Sequence, residues 1–427
     1  MFRSQYARLV ILFLISFGFT VVNAQTAGDI RLKVEVLSPN YIFADTARIR
    51  YIVQNDNQQK GYTAKLKINL TTDDYRFIRE DSAILKVEAS SFSGKEIVYN
   101  LSAGFYRSTV QAIDEANIVI SEYKFNFGIN PESIESPLDG KADLKQFWEN
   151  SLKELAKVEP DYKLKLEKEL SNNDYELYTV TMKSFGDETI KGYYAKPKRD
   201  GNHPVIVECL GYGSGPFMPN MEWDGFAYFV VSTRGQGMNK ETNTYGNWIT
   251  YGLDSKDNYY YKGAFLDIIR GLDFVCSRPE VDTTRIGVMG GSQGGAFTFV
   301  AAALDKRVKV AVPFVPFLSD YKDYFAIAPW PKNDFDKFME ENKDYSWDHI
   351  YSLLSYFDIK NLAPWISCPL MMGVGIQDNV CPPHINFAAY NQVRTEKKWL
   401  AYPHSGHELP LEYFKARKEF LGKYLLR

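Results

Sequence analysis

The stretch that most constrains the fold is residues 285–304, RIGVMGGSQGGAFTFVAAAL. A short apolar run at 286–289 stops at two glycines, a serine and two more glycines, and residues 296–304 are small and apolar enough for a buried helix. A strand, a glycine-tight turn and a helix would present Ser292 at the tip of the turn. So sharp a turn leaves no room for side chains at Gly290 and Gly294, where glycine also offers a backbone φ above zero. A serine held at a helix N-terminus meets free N–H groups and a dipole that favours developing negative charge. G-x-S-x-G arises by chance in roughly one chain in ten of this length, so the partners of Ser292 must be sought elsewhere.

The flanking sequence supplies a context. From Val205 onward, apolar strands and helical segments alternate: VIVECL, FAYFVVS, helix AFLDIIRGLDFVCS, RIGVMG, helix AFTFVAAALDKR, VKVAVPFV, LMMGVG, a helix around 387–394, KKWLAYP and a terminal helix. That alternation specifies a mostly parallel sheet with helices on both faces. With the serine turn it reads as an α/β-hydrolase fold, expected over residues 141–427 after the amphipathic helix DLKQFWENSLKELAKV. An aromatic-rich insertion at 318–365 reads as a lid over the catalytic face, with a packed helical excursion that does not gate as the alternative. Residues 25–128 differ in kind. IRLKVEV, RIRYIV, AKLKINL, EIVYNL, YRSTVQAI and EYKFNFG repeat with a period of two between Asn, Asp, Gly and Ser clusters, as in an antiparallel, immunoglobulin-like β-sandwich. Residues 129–140 read as a proline-bearing linker. A chain of 427 residues has room for both units.

A serine hydroxyl becomes a nucleophile when a histidine takes its proton and a carboxylate orients that histidine. In this fold the order is serine, acid, histidine, from loops at the carboxyl ends of successive strands. The loop IQDNVCPP after LMMGVG offers Asp378, and the loop HSGHE after KKWLAYP offers His407. His404 shares the histidine loop, but the glycine before His407 favours the latter. His384 has no evident group to orient it, and Asp358 falls inside the insertion. The oxyanion requires two donors. One is the N–H of Gln293, after the nucleophile. The other is the N–H of Tyr212 in ECLGYGSG, where Gly211, Gly213 and Gly215 let the backbone approach.

Residues 1–24 read as a targeting segment: Arg3 and Arg8 in a basic head, an apolar stretch at 9–22, and Val22-Asn23-Ala24 before a cleavage site. The expected product is exported, to the periplasm or beyond, with no stable membrane insertion. Net charge is −3 and no basic face is evident, which argues against nucleic acid as a partner. The four cysteines fall beside strands or in the loop after one, and are expected to be reduced. The five histidines are scattered and no ligand spacing occurs, so neither a metal nor another cofactor is expected.

Together these motifs resemble the acetyl xylan esterase / cephalosporin C deacetylase family (carbohydrate esterase family seven). The resemblance rests on RGQG at 234–237, GGSQGG, HE at 407–408, NYYYKGAFLDIIRGLDFV, VPFLSDY, SYFD and GVGIQDNVCPPHINFAAYN, and covers roughly 136–427. It implies a serine esterase that removes acetyl groups from xylan fragments and similar small acetylated molecules. The family's triad and oxyanion positions fall on Ser292, Asp378, His407, Tyr212 and Gln293, and Arg234 and Gln236 would brace the loops near the serine. Family members often form rings, so a homo-oligomer is a possible partner state. Three departures stand out. Leu210 replaces the usual histidine of H-G-Y, with an expected change in pocket polarity. The β-sandwich is additional and could block or redirect ring assembly. His404 is a second histidine placed to touch the leaving group. Two other readings stay open: a peptidase of the prolyl-oligopeptidase kind, whose β-domain is usually a far longer propeller, and an inactive carbohydrate-binding protein.

Overall fold

The computed structural model describes residues 28–222 and 225–426. The targeting segment expected at 1–24 lies outside the described residues. Eight strands come first: β1 (Ile30–Val36), β2 (Ile42–Phe43), β3 (Thr46–Asn55), β4 (Tyr62–Thr72), β5 (Phe77–Val87), β6 (Ser91–Asn100), β7 (Gly104–Ile113) and β8 (Val119–Ile129). They form one sheet in the order β1-β3-β6 and another in the order β2-β8-β7-β4-β5. In immunoglobulin lettering these are A-B-E and A′-G-F-C-C′, the first strand being split between the sheets. Alternation drives the pairing. Leu32, Val34, Ile49, Tyr51, Leu66, Ile68 and Val110 are buried, while the intervening residues face out. The inner hydroxyls satisfy one another: Tyr51 Oη lies 3.0 Å from Tyr99 Oη within its own sheet and 3.1 Å from Ser108 Oγ of the facing sheet.

The second unit begins with α1 (Leu144–Ala156), whose Trp148 is buried and donates to the Tyr356 carbonyl at 3.0 Å. Then come β9 (Lys163–Leu166), β10 (Tyr175–Lys183), β11 (Thr189–Pro197), β12 (His203–Cys209), β13 (Ala227–Ser232), α2 (Tyr260–Cys276), β14 (Val281–Gly291), α3 (Gln293–Leu304) and β15 (Val308–Phe314). Helices α4 (Tyr321–Ile327), α5 (Lys332–Glu341), α6 (Trp347–Leu354) and α7 (Ile359–Leu362) fill the insertion. The chain ends with β16 (Leu370–Gly375), α8 (Pro383–Gln392), β17 (Lys397–Tyr402) and α9 (Leu411–Leu425). The sheet order is β17-β16-β15-β14-β12-β13-β11-β10-β9, parallel from β17 through β13 and antiparallel beyond. The inner parallel strands are buried on both faces, while the edge strand β17 is only half-buried. In β12, Val205 and Val207 join the core under α2 and α3, while Ile206 joins the core under α9. Among the described residues no helix is long and apolar enough to cross a membrane, and all four cysteines are free.

The sandwich rests on the hydrolase unit with its β7–β8 face. Phe105 packs on Phe387 of α8 with ring centroids 5.8 Å apart. Here the sequence reading of His384 as a residue with no orienting group is corrected. Asp73, from the β4–β5 loop, holds Nδ1 at 2.8 Å, and Asp323 of α4 approaches Nε2 at 3.4 Å. Burial opposes the charge, but Asp323 and Asp73 outweigh it and push the imidazolium up to about 10. Close by, the Lys360 ammonium sits on Asp320 at 2.8 Å, and Arg76 adds positive potential at Asp323. A histidine raised this far stabilises the fold fully below its unfolded value of about 6.5, and that contribution disappears as pH rises through about 10. The denaturation midpoint is therefore expected to fall between pH 7 and pH 10 more steeply in the native chain than in His384→Gln, read by urea titration at each pH.

Candidate active site

The serine turn is as tight as the glycines require. A Cβ on Gly294 would lie 2.2 Å from the Cys209 carbonyl oxygen, and one on Gly290 2.6 Å from the Gly294 carbonyl carbon. The positive φ expected at these glycines falls instead on Ser292, at φ 57 and ψ −122. Placing the strain on the serine turns its hydroxyl out of the sheet. The Ser292 N–H and carbonyl are fixed by Phe314 O at 3.0 Å and Phe317 N at 3.1 Å.

Asp378 and His407 come together from the loops after β16 and β17. His407 Nδ1 lies 2.9 Å from Asp378 Oδ2. A carboxylate only accepts, so Nδ1 carries the proton and Nε2 is left as the base. Asp378 is 1% exposed, and its other oxygen accepts from Val380 N at 2.8 Å and Cys381 N at 2.9 Å. The glycine that lets the two loops meet is Gly375 rather than Gly406. A Cβ on Gly375 would sit 2.0 Å from the Gly406 carbonyl oxygen, whereas Gly406 itself has space. Ser292 and His407 line one open cavity of about 330 Å³ with Glu208, Tyr212, Ser214, Phe217 and Phe314, at the small end of the range for ligand pockets. They share it without a direct hydrogen bond, as is common in unliganded hydrolases.

Tyr212 and Gln293 flank that cavity. As the first residue of α3, Gln293 has an N–H with no acceptor within the helix. The Tyr212 ring is held edge-on between Trp248 (5.1 Å) and Trp330 of the insertion (5.3 Å). Burial, then Asp334, pushes its phenol up to about 12, so the ring stays neutral. Of the three glycines around it, Gly213 needs the left-handed region (φ 67), while Gly215 has open space. The insertion thus buttresses the Tyr212 loop.

Arg234 and Gln236 make buried polar contacts beside the serine turn. Gln236 Oε1 accepts from Gly213 N at 3.0 Å and from Gln293 Nε2 at 3.1 Å, and its Nε2 donates to Tyr260 Oη at 2.8 Å. One buried amide thereby couples the two loops that carry Tyr212 and Gln293. Arg234 forms a buried ion pair with Asp267. Replacing Gln236 with leucine should lower kcat by up to about 10²-fold with little change in KM, because a displacement near 1 Å has that cost. Steady-state kinetics on a soluble acetyl ester would show it.

Other sequence candidates lie elsewhere. His404 packs edge-on against Tyr41 of the sandwich at 5.2 Å instead of lining the serine cavity. Asp358 caps α7 by accepting from Lys360 N at 2.8 Å, and burial raises its carboxyl to about 7. Leu210 is 2% exposed and packs where Gly237 leaves room for it, so it does not set the polarity of the cavity. Glu208 was missed. It lines the cavity, accepts from Tyr228 and from Arg417 Nη1 at 3.4 Å, and is raised above the usual carboxylate value by burial. The available signal was an acid inside the apolar run VIVECL, since a buried charge is the informative exception.

The family model described as Acetyl xylan esterase (AXE1) matches residues 135–424. The acetyl esterase Axe7A of Xylanibacter ruminicola is 29% identical over 301 residues, covering 67% of this chain and 68% of that protein. Among solved structures, the acetyl xylan esterase from Paenibacillus sp. R4 superposes with a TM-score of 0.65 at 32% identity, covering 69% of this chain and 98% of that one. Acetyl xylan esterase 1 from Thermoanaerobacterium sp. JW/SL YS485 gives 0.62 at 31% identity, covering 69% and 97%.

Proposed function

Because the chain belongs to the acetyl xylan esterase family and is a carboxylic ester hydrolase, we propose that it is an exported serine esterase that removes acetyl groups from xylan fragments or similar acetylated saccharides. The observation that carries the mechanism is the Asp378–His407 pair, 2.9 Å apart, at the cavity that also holds Ser292. Ser292 Oγ attacks the acetyl carbonyl carbon as its proton passes to His407 Nε2. The imidazolium is stabilised by Asp378 at Nδ1, and the oxyanion accepts from the N–H groups of Tyr212 and Gln293. Collapse breaks the bond to the sugar oxygen, which takes the proton from His407. Water, activated by the same base, then attacks the acetyl-serine and releases acetate. Export rests on the pattern of residues 1–24 alone.

The test compares acetate release from acetylated xylo-oligosaccharides with cleavage of dipeptide anilides. Release of acetate without anilide cleavage is expected; preference for the anilides would support the peptidase reading instead. Fractionation of the native host, with the protein found in the cytosol at full length, would sink the export reading.

A further inference from the structure

We infer that the β-sandwich is a working part of the catalytic site: through Gln377 it holds the loop that carries Asp378, which makes Gln377 a positioning residue for the triad. Strand β2 is two residues long and covers β8 only at Gly128 and Ile129. Two residues away, at Asn126, that edge of β8 is closed by a side chain. Asn126 N donates to Gln377 Oε1 at 2.8 Å, and Gln377 Nε2 donates to the Asn126 carbonyl at 3.1 Å. A primary amide thus pairs with the strand edge as a neighbouring strand would.

The same nitrogen, Gln377 Nε2, also donates to Pro403 O at 2.7 Å, and Gln377 N donates to Ser405 O at 2.9 Å. One residue therefore ties the sandwich, the acid loop and the histidine loop together. Asn126 Nδ2 adds a bond to Ile376 O at 3.3 Å. On the other side of Asp378, Arg107 of β7 donates to Asn379 Oδ1 at 3.1 Å while its Nε is held by Asp73 O at 2.9 Å. Residues 376, 377 and 379 all bond to the sandwich, while Asp378 turns the other way, to His407. The support behind the acid is a hydrogen-bonded sheet, as rigid a backing as a loop can have.

This rests on the reading of Asp378 as the acid of the triad. Without the seam, the loop keeps its main-chain bond from Gln377 N to Ser405 O but is free to shift. The loss falls on the step in which the imidazolium forms, so kcat changes and KM does not. The test uses the full chain with Gln377→Met, which keeps length without the amide, and Asn126→Pro, which removes both the main-chain N–H that faces Gln377 and the Nδ2 bond to Ile376 O, at an edge position that tolerates proline. Rates on 4-nitrophenyl acetate are expressed per serine titrated with a fluorophosphonate. Each variant is expected to lose kcat by about tenfold or more with KM within about twofold. The double variant should lose less than the two singles combined, because both remove the bond from Asn126 N to Gln377 Oε1. Unchanged kcat per titrated serine in Gln377→Met overturns the inference, and so does a loss seen only as fewer titratable serines, which is a folding role. Asp378→Asn serves as the reference. If it is inactive beside a fully active Gln377→Met, the seam alone falls; if it is fully active, the reading of Asp378 falls and the inference with it.

Discussion

Replacing Ser292 with alanine is expected to lower kcat for acetate release by about 10³-fold or more, with the fold intact. Ser214 also lines the cavity, but it lies on the Tyr212 loop and not at the serine turn. Glu208 is engaged by Tyr228 and Arg417, and the Cys209 thiol in the cavity wall is pushed well above its ordinary value by burial. What remains in the variant is binding and the two N–H donors, which account for the residual rate seen when a triad member is removed. The turn itself should survive. Alanine at φ 57 carries the same backbone strain as serine, and the main-chain bonds to Phe314 and Phe317 do not involve the hydroxyl. Circular dichroism and the urea midpoint should therefore match the parent while activity is lost. Near-normal acetate release from a pure, folded Ser292→Ala protein would remove Ser292 from the mechanism.

The contrast is Gly294→Ala, which leaves the hydroxyl in place but puts a methyl 2.2 Å from the Cys209 carbonyl oxygen. There the turn fails before the chemistry does. These two positions show what kind of information the sequence carries. The clash at Gly294 follows from the motif, because a strand, a turn and a helix in five residues leave only one geometry. The φ above zero at Ser292 does not follow, since it depends on which peptide in the turn absorbs the bend. Asp378 and His407 were legible because strand order in this architecture dictates where the acid and histidine loops fall.

The cross-unit contacts that escaped the sequence share one physical cause: partners far away in the chain. Asp73 and His384 are 311 residues apart, and Asn126 and Gln377 are 251 apart. Nothing local to IQDNVCPPH marks Gln377 as bonded to a sandwich or His384 as an imidazolium between two carboxylates. Strand β5 was unread for a different reason. It is an edge strand whose residues are mostly exposed or half-buried, with Arg79, Glu80 and Asp81 in its middle, so the inward–outward alternation that marks a strand is blurred. The aromatic content of the insertion does not say which ring meets which, and the contact of Trp330 with the ring of Tyr212 is beyond the reach of composition.

Arg234→Met is expected to have the largest effect on stability, a loss of about 3–5 kcal/mol in chemical denaturation. The Arg234 side chain is 8% exposed and its partner Asp267 is fully buried. The guanidinium donates to both carboxylate oxygens, Nε to Oδ2 at 3.0 Å and Nη2 to Oδ1 at 2.8 Å, and reaches Phe185 O at 3.0 Å with the same Nη2. Removing it strands an ionised carboxylate away from water, and that penalty exceeds the net worth of the pair. Gly263 sharpens the expectation, since a Cβ there would lie 2.2 Å from Arg234 Nη1. The guanidinium therefore lies flat against the α2 backbone, and the slimmer methionine leaves a void there. Lysine should rescue only part of the loss, because a single ammonium cannot reproduce the two-point fork. Adding Asp267→Leu to Arg234→Met removes the stranded charge but leaves Arg234's own N–H, at 2.8 Å from Asp267 Oδ2, and the Ser184 hydroxyl, at 2.6 Å from Oδ1, without their acceptor. The double variant should then recover part of the stability and stay below the parent. A double variant less stable than Arg234→Met would show that Asp267 serves Ser184 and the main chain more than it serves the arginine. An Arg234→Met protein as stable as the parent would mean that RGQG is held by Gln236 alone.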